Sequence, residues 1–139
     1  MKNSSSFSHD PLSALLSSIK VNATAGHQTL FIPASKFNYA VINWLEKAGY
    51  IFKVKQIKDL RGKITFKIHL KGHISLNLFK NLKRISRPGK RVYLSYRELL
   101  FHKNKMGQFN TYLISTSAGL KDLNYCIQNH LGGEILFRI

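Results

Sequence analysis

Two segments of the chain carry side chains whose chemistry and spacing suit a nucleic acid. Residues 83–93 read KRISRPGKRVY and place five cations around an Arg-Pro-Gly turn, with Tyr93 after them. A tight turn can set guanidinium and ammonium groups along a phosphate backbone, although a solvated hairpin tip has the same composition. Residues 115–119 read STSAG, and their three hydroxyls can meet 2′-hydroxyls and base edges in a shallow RNA minor groove. A simple capping turn is the alternative for this second segment.

The chain lacks the residue patterns of the common enzyme classes. His69 and His73 are four residues apart, and on a strand they would lie about 13 Å from each other, too far for one metal ion unless the chain turns between them at Lys71-Gly72; no acidic third ligand is near them in sequence. The hydroxyls of residues 115–117 have no base nearby in sequence, and the six acids are scattered singly. Cys126, the single cysteine, falls in a predicted helix, where a buried structural thiol is the usual role. We therefore expect no enzyme, no catalytic or metal-binding residue, no cofactor and no small-molecule substrate.

The net charge indicates a polyanionic partner. The chain has 139 residues with 22 Lys and Arg against 6 Asp and Glu, a formal net charge of +16, and 44% hydrophobic residues, enough for a packed core. Residues 47–91 hold ten lysines and four arginines against Asp59, so this stretch carries +13 of the total. RNA, DNA and an anionic membrane surface all fit such a charge. No run of about 18 apolar residues exists that could span a membrane.

Local signals predict the elements of the first half. Asp10-Pro11 begins a helix that runs to about Val21, and residues 29–32 form a strand that ends at Pro33. Ser35 caps a second helix that ends at Gly49. Its buried face is predicted to contain Phe37, Val41, Trp44, Leu45 and Ala48. Residues 50–58 and 63–70 form a hairpin with one apolar and one basic face.

The second half is predicted to be mostly strand. Residues 74–86 are expected to be extended, and Pro88-Gly89 forms a turn in which Gly89 has positive φ. Strands over 90–94, 111–114 and 134–139, a short helix over 96–102, a loop over 115–119 and a helix over 122–130 follow. The fold class is therefore α+β, with an αβαββ lobe over 10–73 packed on a smaller, mostly-β lobe with short helices over 74–139. Residues 1–9 are expected to be a flexible N-terminus.

Several segments, taken in order, carry a family resemblance. They are Asp10-Pro11-Leu12, PASK at 33–36, LEKAGYI at 45–51, RISRPGKRVY at 84–93, STSAG at 115–119 and LGGEI at 131–135. In these segments and their order, the chain resembles the ribosomal protein S8 family, which binds the central domain of small-subunit ribosomal RNA. The resemblance covers nearly the whole chain after residue 9.

The resemblance implies a structural, non-catalytic protein of the small ribosomal subunit, with a C-terminal lobe that recognises RNA. Such a protein binds the central domain of the ribosomal RNA and supports assembly with neighbouring small-subunit proteins. Carried over by residue, the loop would meet an irregular RNA helix at its internal loop, with Tyr93 and Glu134 beside it. The loop residues are Ser115, Thr116, Ser117 and Gly119, and the implied phosphate-binding residues are Lys36, Arg84, Arg87, Lys90 and Arg91.

Two departures from the family pattern bear on the compartment. Ala118 stands where the family usually has a basic residue, and residues 122–124 read DLN in place of a common Thr-Asp-Arg run. These changes favour a mitochondrial (matrix) ribosome over a bacterial cytoplasmic or plastid one.

Two other functions stay open at this point. One is a translational repressor that recognises an mRNA mimic of the ribosomal RNA site. The other, from a different class, is a basic peripheral membrane protein, although the apolar helix stripes lack an opposite face rich in Lys and Arg. We expect no membrane partner.

Overall fold

The computed structural model describes residues 10–106 and 111–139. These residues form helices and antiparallel sheets in two compact units, which divide between Lys80 and Asn81. The predicted α+β class is confirmed. The predicted flexible segment 1–9 lies outside the described residues.

The first unit consists of three helices and a three-stranded antiparallel sheet. β3 lies between β1 and β2, and α1 packs against β1 while α2 packs against β2. One face of the sheet is buried, with Leu30, Ile32, Phe66 and Ile68 at most 5% exposed. In chain order the elements are α1 (Pro11–Thr24), β1 (Thr29–Pro33), α2 (Lys36–Lys47), β2 (Lys53–Lys58), β3 (Ile64–His69) and α3 (His73–Phe79).

Short-range polar signals set the ends of these elements as the sequence predicts. The Asp10 carboxylate accepts a hydrogen bond from the backbone N–H three residues on, at 3.3 Å, and α1 begins there. The Ser35 hydroxyl does the same for α2 at 3.0 Å. In the hairpin between β2 and β3, the Asp59 carboxylate accepts two backbone N–H groups at 2.9 and 2.8 Å. The predicted helix starts and hairpin are therefore confirmed.

The predicted buried face of α2 is wrong in part. The buried residues are Asn38, Val41, Ile42 and Leu45, whereas Phe37 is 36% exposed. Ala48 is exposed and Trp44 is half-buried. Asn38 takes the inner position because its Nδ2 donates to the Pro33 carbonyl oxygen at 3.0 Å. A buried amide that is hydrogen-bonded to the end of β1 therefore replaces the apolar residue that hydrophobicity favours.

The extended segment predicted over 74–86 is wrong for its first part, because residues 73–79 form α3. The alternation of Ile74, Leu76 and Leu78 is typical of a strand, but a short apolar run cannot be assigned by periodicity alone. In the folded chain α3 packs against α1, and Phe79 is only 1% exposed. Tertiary contacts therefore decide the conformation of this segment.

The second unit is a five-stranded antiparallel sheet with two helices. β8 is its central strand and pairs with β4, β5 and β6, while β7 pairs with β6 at the edge. Leu99, Tyr112, Ile114, Cys126 and Ile135 form the buried core together with Leu123. The elements are β4 (Lys83–Arg84), β5 (Tyr93–Leu94), α4 (Tyr96–Met106), β6 (Tyr112–Thr116), β7 (Gly119–Asp122), α5 (Leu123–Gln128) and β8 (Gly133–Arg138).

Two predicted features of this unit need correction. The segment 115–119 is not an open loop before a helix: β6 runs to Thr116, and a two-residue turn at 117–118 leads directly into β7. The Pro88-Gly89 turn forms as predicted, but Gly89 does not have positive φ. The turn at 117–118 forms because β6 supplies backbone hydrogen-bond partners to β7, a pairing that the local sequence does not reveal.

Cys126 lies fully buried in the core of the second unit. Burial raises the pKa of the Cys126 thiol above its ordinary value. Because the thiolate is the reactive species, we expect the native protein at pH 8 to resist a thiol reagent such as 5,5′-dithiobis(2-nitrobenzoate), and to react fully once unfolded in guanidinium. Labelling followed by mass spectrometry checks this. Rapid modification of the native chain would contradict the burial.

The described part of the chain lacks two kinds of feature. No group of three or more His, Cys, Asp or Glu side chains that could hold a metal ion is found in residues 10–106 and 111–139. Within the same two ranges, no helix is long and apolar enough to cross a membrane.

Candidate nucleic-acid interface

Three of the predicted RNA-binding residues form one row across the second sheet. Glu134 of β8 pairs with Tyr93 of β5 on one side and with Ser115 of β6 on the other. Directly opposite residues of an antiparallel pair share a face, with Cβ atoms about 4.5–5.5 Å apart. The row therefore brings an aromatic ring, a carboxylate and a hydroxyl together on one face, and the Tyr93 ring is 63% exposed.

The Glu134 carboxylate is held by two neighbours. Its Oε2 accepts a hydrogen bond from the Ser86 hydroxyl at 3.0 Å and lies 3.3 Å from Nη1 of Arg91. Ser86 is buried, and its Oγ also accepts the Val92 N–H at 3.3 Å. Glu134 is therefore a positioned acceptor, and a carboxylate can take a hydrogen bond from an RNA hydroxyl or base amino group.

The three hydroxyls of the 115–117 segment have different environments. Thr116 Oγ1 donates to the Gly119 carbonyl oxygen at 2.8 Å and accepts the Ala118 N–H at 3.1 Å, so this hydroxyl closes the turn. Ser117 is exposed and Ser115 is half-buried. Within the described part of the chain, neither serine hydroxyl has a hydrogen-bond partner. The two serines are thus the hydroxyls of this segment that are available to a ligand.

Two glycines allow the backbone around these serines to take its shape. Gly119 begins β7 with φ of 102°, a left-handed conformation that favours glycine. Gly133 lies against β6, where an added Cβ would stand 2.2 Å from the Ser115 carbonyl oxygen. The close approach of β8 to β6 therefore requires glycine at position 133.

The basic segment forms a tight hairpin with most of its cations exposed. Arg87 and Lys90 exchange backbone hydrogen bonds at 3.1 and 2.9 Å around the two-residue turn. The side chains of Arg87, Lys90 and Arg91 are exposed. Arg84 is half-buried, and its Nε donates to the Ser86 carbonyl oxygen. The hairpin tip therefore presents cations to solvent, while Arg84 stabilises the hairpin from within.

Lys36, the remaining predicted phosphate-binding residue, belongs to the first unit. It is the first residue of α2, and its side chain is exposed. The partial positive charge at a helix N-terminus adds to that of the ammonium group. Lys36 is not part of the row in the second sheet.

Comparison with known proteins shows the family to which the chain belongs. The model of the family described as Ribosomal protein S8 matches residues 10–139. The chain belongs to this family. Its ribosomal protein S8 relatives include one from Caldanaerobacter subterraneus subsp. tengcongensis that is 37% identical over 128 residues, which covers 91% of this chain and 94% of the relative.

Two further relatives give similar figures. The chain is 32% identical over 130 residues to a protein of Bartonella bacilliformis and 34% identical over 130 residues to one of Baumannia cicadellinicola, with 94% of this chain and 96% of the relative covered in both. All three relatives carry the name small ribosomal subunit protein uS8 and come from bacteria. The resemblance to the ribosomal protein S8 family is confirmed.

The sequence analysis missed two residues that shape the row of Tyr93, Glu134 and Ser115. Ser86 holds Glu134 from 48 positions away, and nothing near Ser86 in the sequence announces that contact. Gly133 enters the family resemblance only as part of the segment at 131–135, whereas the structure shows that β8 approaches Ser115 closely at this residue. For both residues the useful signal is their presence within the family segments.

Proposed function

We propose that this chain is a structural protein of the small ribosomal subunit that binds the central domain of its ribosomal RNA. Membership of the ribosomal protein S8 family supports the ribosomal assignment. The single observation that carries the RNA site is the row of Tyr93, Glu134 and Ser115 on one face. An exposed ring can stack on an unpaired base, while a carboxylate and a hydroxyl can read a hydroxyl or base edge. The second unit would thus be the RNA-recognition lobe.

A binding titration tests the proposal. The probe is the central-domain RNA helix with its internal loop, and the control is a duplex of equal length with that loop closed. About 0.2 M salt suppresses attachment by charge alone. Tighter binding to the looped RNA is the expected result. Equal, weak binding to both RNAs that disappears as salt is added would reject specific recognition.

The exposed tip of the basic hairpin is proposed to bind phosphates. Arg87→Ala should weaken binding to looped and closed RNA alike and reduce the slope of log K against log salt by about 0.9, the value for one phosphate contact on a duplex. The matched control is Arg97→Ala, which removes an equally charged, exposed side chain of α4. An unchanged slope for Arg87→Ala, or the same change for both variants, would show that Arg87 does not contact a phosphate.

Assembly with neighbouring small-subunit proteins and the compartment are further parts of the proposal. Ala118 and the DLN run at 122–124 support a mitochondrial ribosome. The relatives described above are bacterial, and the alternatives are a bacterial cytoplasmic or a plastid ribosome. Cosedimentation of an epitope-tagged chain with small subunits, compared between purified mitochondria and the remaining extract of a eukaryotic host cell, tests the mitochondrial assignment. Recovery outside mitochondria alone would reject the mitochondrial assignment.

A further inference from the structure

The sheet of the first unit has an outer face that its helices leave open. In the observed register, three rows of directly opposed residues cross that face, and the middle strand contributes one residue to each row. The central row contains Phe31, Lys67 and Lys55, and Phe31 is 59% exposed. The full rows are Thr29–His69–Lys53, Phe31–Lys67–Lys55 and Pro33–Thr65–Ile57.

This outer face is basic and carries an accessible aromatic ring. Lys53, Lys55 and Lys67 lie on neighbouring strands, which are about 4.8 Å apart. Nζ of Lys67 lies 5.9 Å from the centre of the Phe31 ring. Partial burial, together with the charges of Lys67, Lys55 and Lys53, lowers the pKa of His69 below its ordinary value. The face therefore combines cations with an exposed aromatic ring.

The acidic side chains of the first unit lie away from this outer face. In residues 10–80 the acids are Asp10, Glu46 and Asp59, and none of them is in the three rows. Each accepts backbone hydrogen bonds, with Glu46 Oε2 taking the Val54 N–H at 2.7 Å at the edge of β2. Among the described residues, the lysines of the outer face form no ion pair. Three cations on one face thus remain without a countercharge from the protein.

From this arrangement we infer that the outer face of the first sheet is a second RNA-binding surface, which takes an unpaired strand. The lysines bind successive phosphates, and a base stacks on Phe31. A basic surface with an exposed aromatic ring is the combination that holds single strands with little sequence preference. A duplex presents its phosphates but no base face, so the ring favours the unpaired strand. The inference rests on the proposed function only in taking RNA as the polyanion.

The role of the ring is tested with a fluorescent oligonucleotide of twelve uridines, which has no duplex structure, in anisotropy titrations. Phe31→Ala should weaken its binding about tenfold, within the range measured for loss of one base stack. Phe31→Tyr keeps a ring and should bind like the wild type. Phe101→Ala is the matched control, because Phe101 lies on α4 and is 58% exposed. Equal binding by Phe31→Ala and the wild type would overturn the inference.

The role of the lysines is tested separately. Lys55→Gln with Lys67→Gln should lower the salt slope for the uridine strand by about 1.4, since each phosphate contact on a single strand contributes about 0.7. Lys47→Gln with Lys80→Gln removes the same charge from exposed positions outside the rows and should leave the slope nearly unchanged. Thermal melting of each variant confirms that it is folded. An equal fall in the salt slope for the two double variants would show a response to net charge only and would overturn the inference.

Two further measurements distinguish this surface from the site in the second unit and from a site for acidic proteins. Phe31→Ala should retain the preference for looped over closed RNA, while Ser115→Ala with Ser117→Ala should leave binding of the uridine strand unchanged. Failure of the proposed site and failure of this surface are thus distinguishable.

A polyglutamate peptide should bind the wild type and Phe31→Ala equally. If it instead showed the same tenfold loss, the face would be a site for acidic proteins, and the RNA assignment would be wrong.

Discussion

Ser115→Ala combined with Ser117→Ala is expected to lower the affinity for the looped RNA helix by about thirtyfold. Within the described residues these two hydroxyls have no internal partner, whereas the Thr116 hydroxyl closes the turn. Each lost hydrogen bond to RNA is expected to remove about 1 kcal/mol, and about 2 kcal/mol corresponds to a thirtyfold change. The measurement is a titration of looped and closed RNA at about 0.2 M salt.

Specificity is the property that this double variant tests. Binding to the closed duplex should change little, because the phosphate contacts proposed for the cations of residues 84–91 are unchanged. Ser17→Ala is the matched control, since Ser17 is an exposed serine of α1. Equal losses on the looped and closed RNAs would refute a recognition role for the serines. The turn itself should persist, because Thr116 is unchanged.

Gly133→Ala is expected to destabilise the second unit strongly. The new Cβ would stand 2.2 Å from the Ser115 carbonyl oxygen and 3.1 Å from Cγ2 of Ile114. The first of these neighbours is backbone, so β8 and β6 must separate locally. Overpacking of this kind costs about 1–3 kcal/mol, which corresponds to a fall in Tm of about 5–15 °C. Thermal unfolding followed by circular dichroism measures the change.

A second glycine provides the control for this effect. Gly89 has no heavy atom within 4 Å of a built Cβ and no positive φ, so Gly89→Ala should leave the Tm nearly unchanged. At a temperature where Gly133→Ala is still folded, its looped-RNA binding should also weaken, because Ser115 is displaced. A wild-type Tm for Gly133→Ala would mean that β8 and β6 are not as close as the structure places them.

Features that depend on neighbouring residues could be predicted from the sequence. Asp10 and Ser35 cap helices, Asp59 closes a hairpin, and the alternation of residues 64–70 gives a strand with one apolar face. Each of these depends on atoms within about four residues, so local chemistry is sufficient. The family resemblance also came from the sequence, because its segments are read in order without any knowledge of the folded chain.

Features that depend on distant residues could not be predicted in this way. Residues 73–79 are helical because they pack on α1, and residues 119–122 form a strand because β6 offers them backbone partners. Similarly, Asn38 is buried in place of Phe37 because its amide reaches Pro33. In each case, contacts made only in the folded chain override a local preference.

The sequence by itself therefore determined the α+β class, the family and the types of residue available to bind RNA. Only the tertiary structure decided which of them lie together. Tyr93 and Ser115 become neighbours of Glu134 because β8 pairs with both β5 and β6, and strand register is a long-range property. In the second unit, Ser86 donates a hydrogen bond to Glu134, and in the first unit the separate pairing of β1 with β3 sets Phe31 beside Lys67. Backbone hydrogen bonds between strands distant in sequence thus assemble both surfaces.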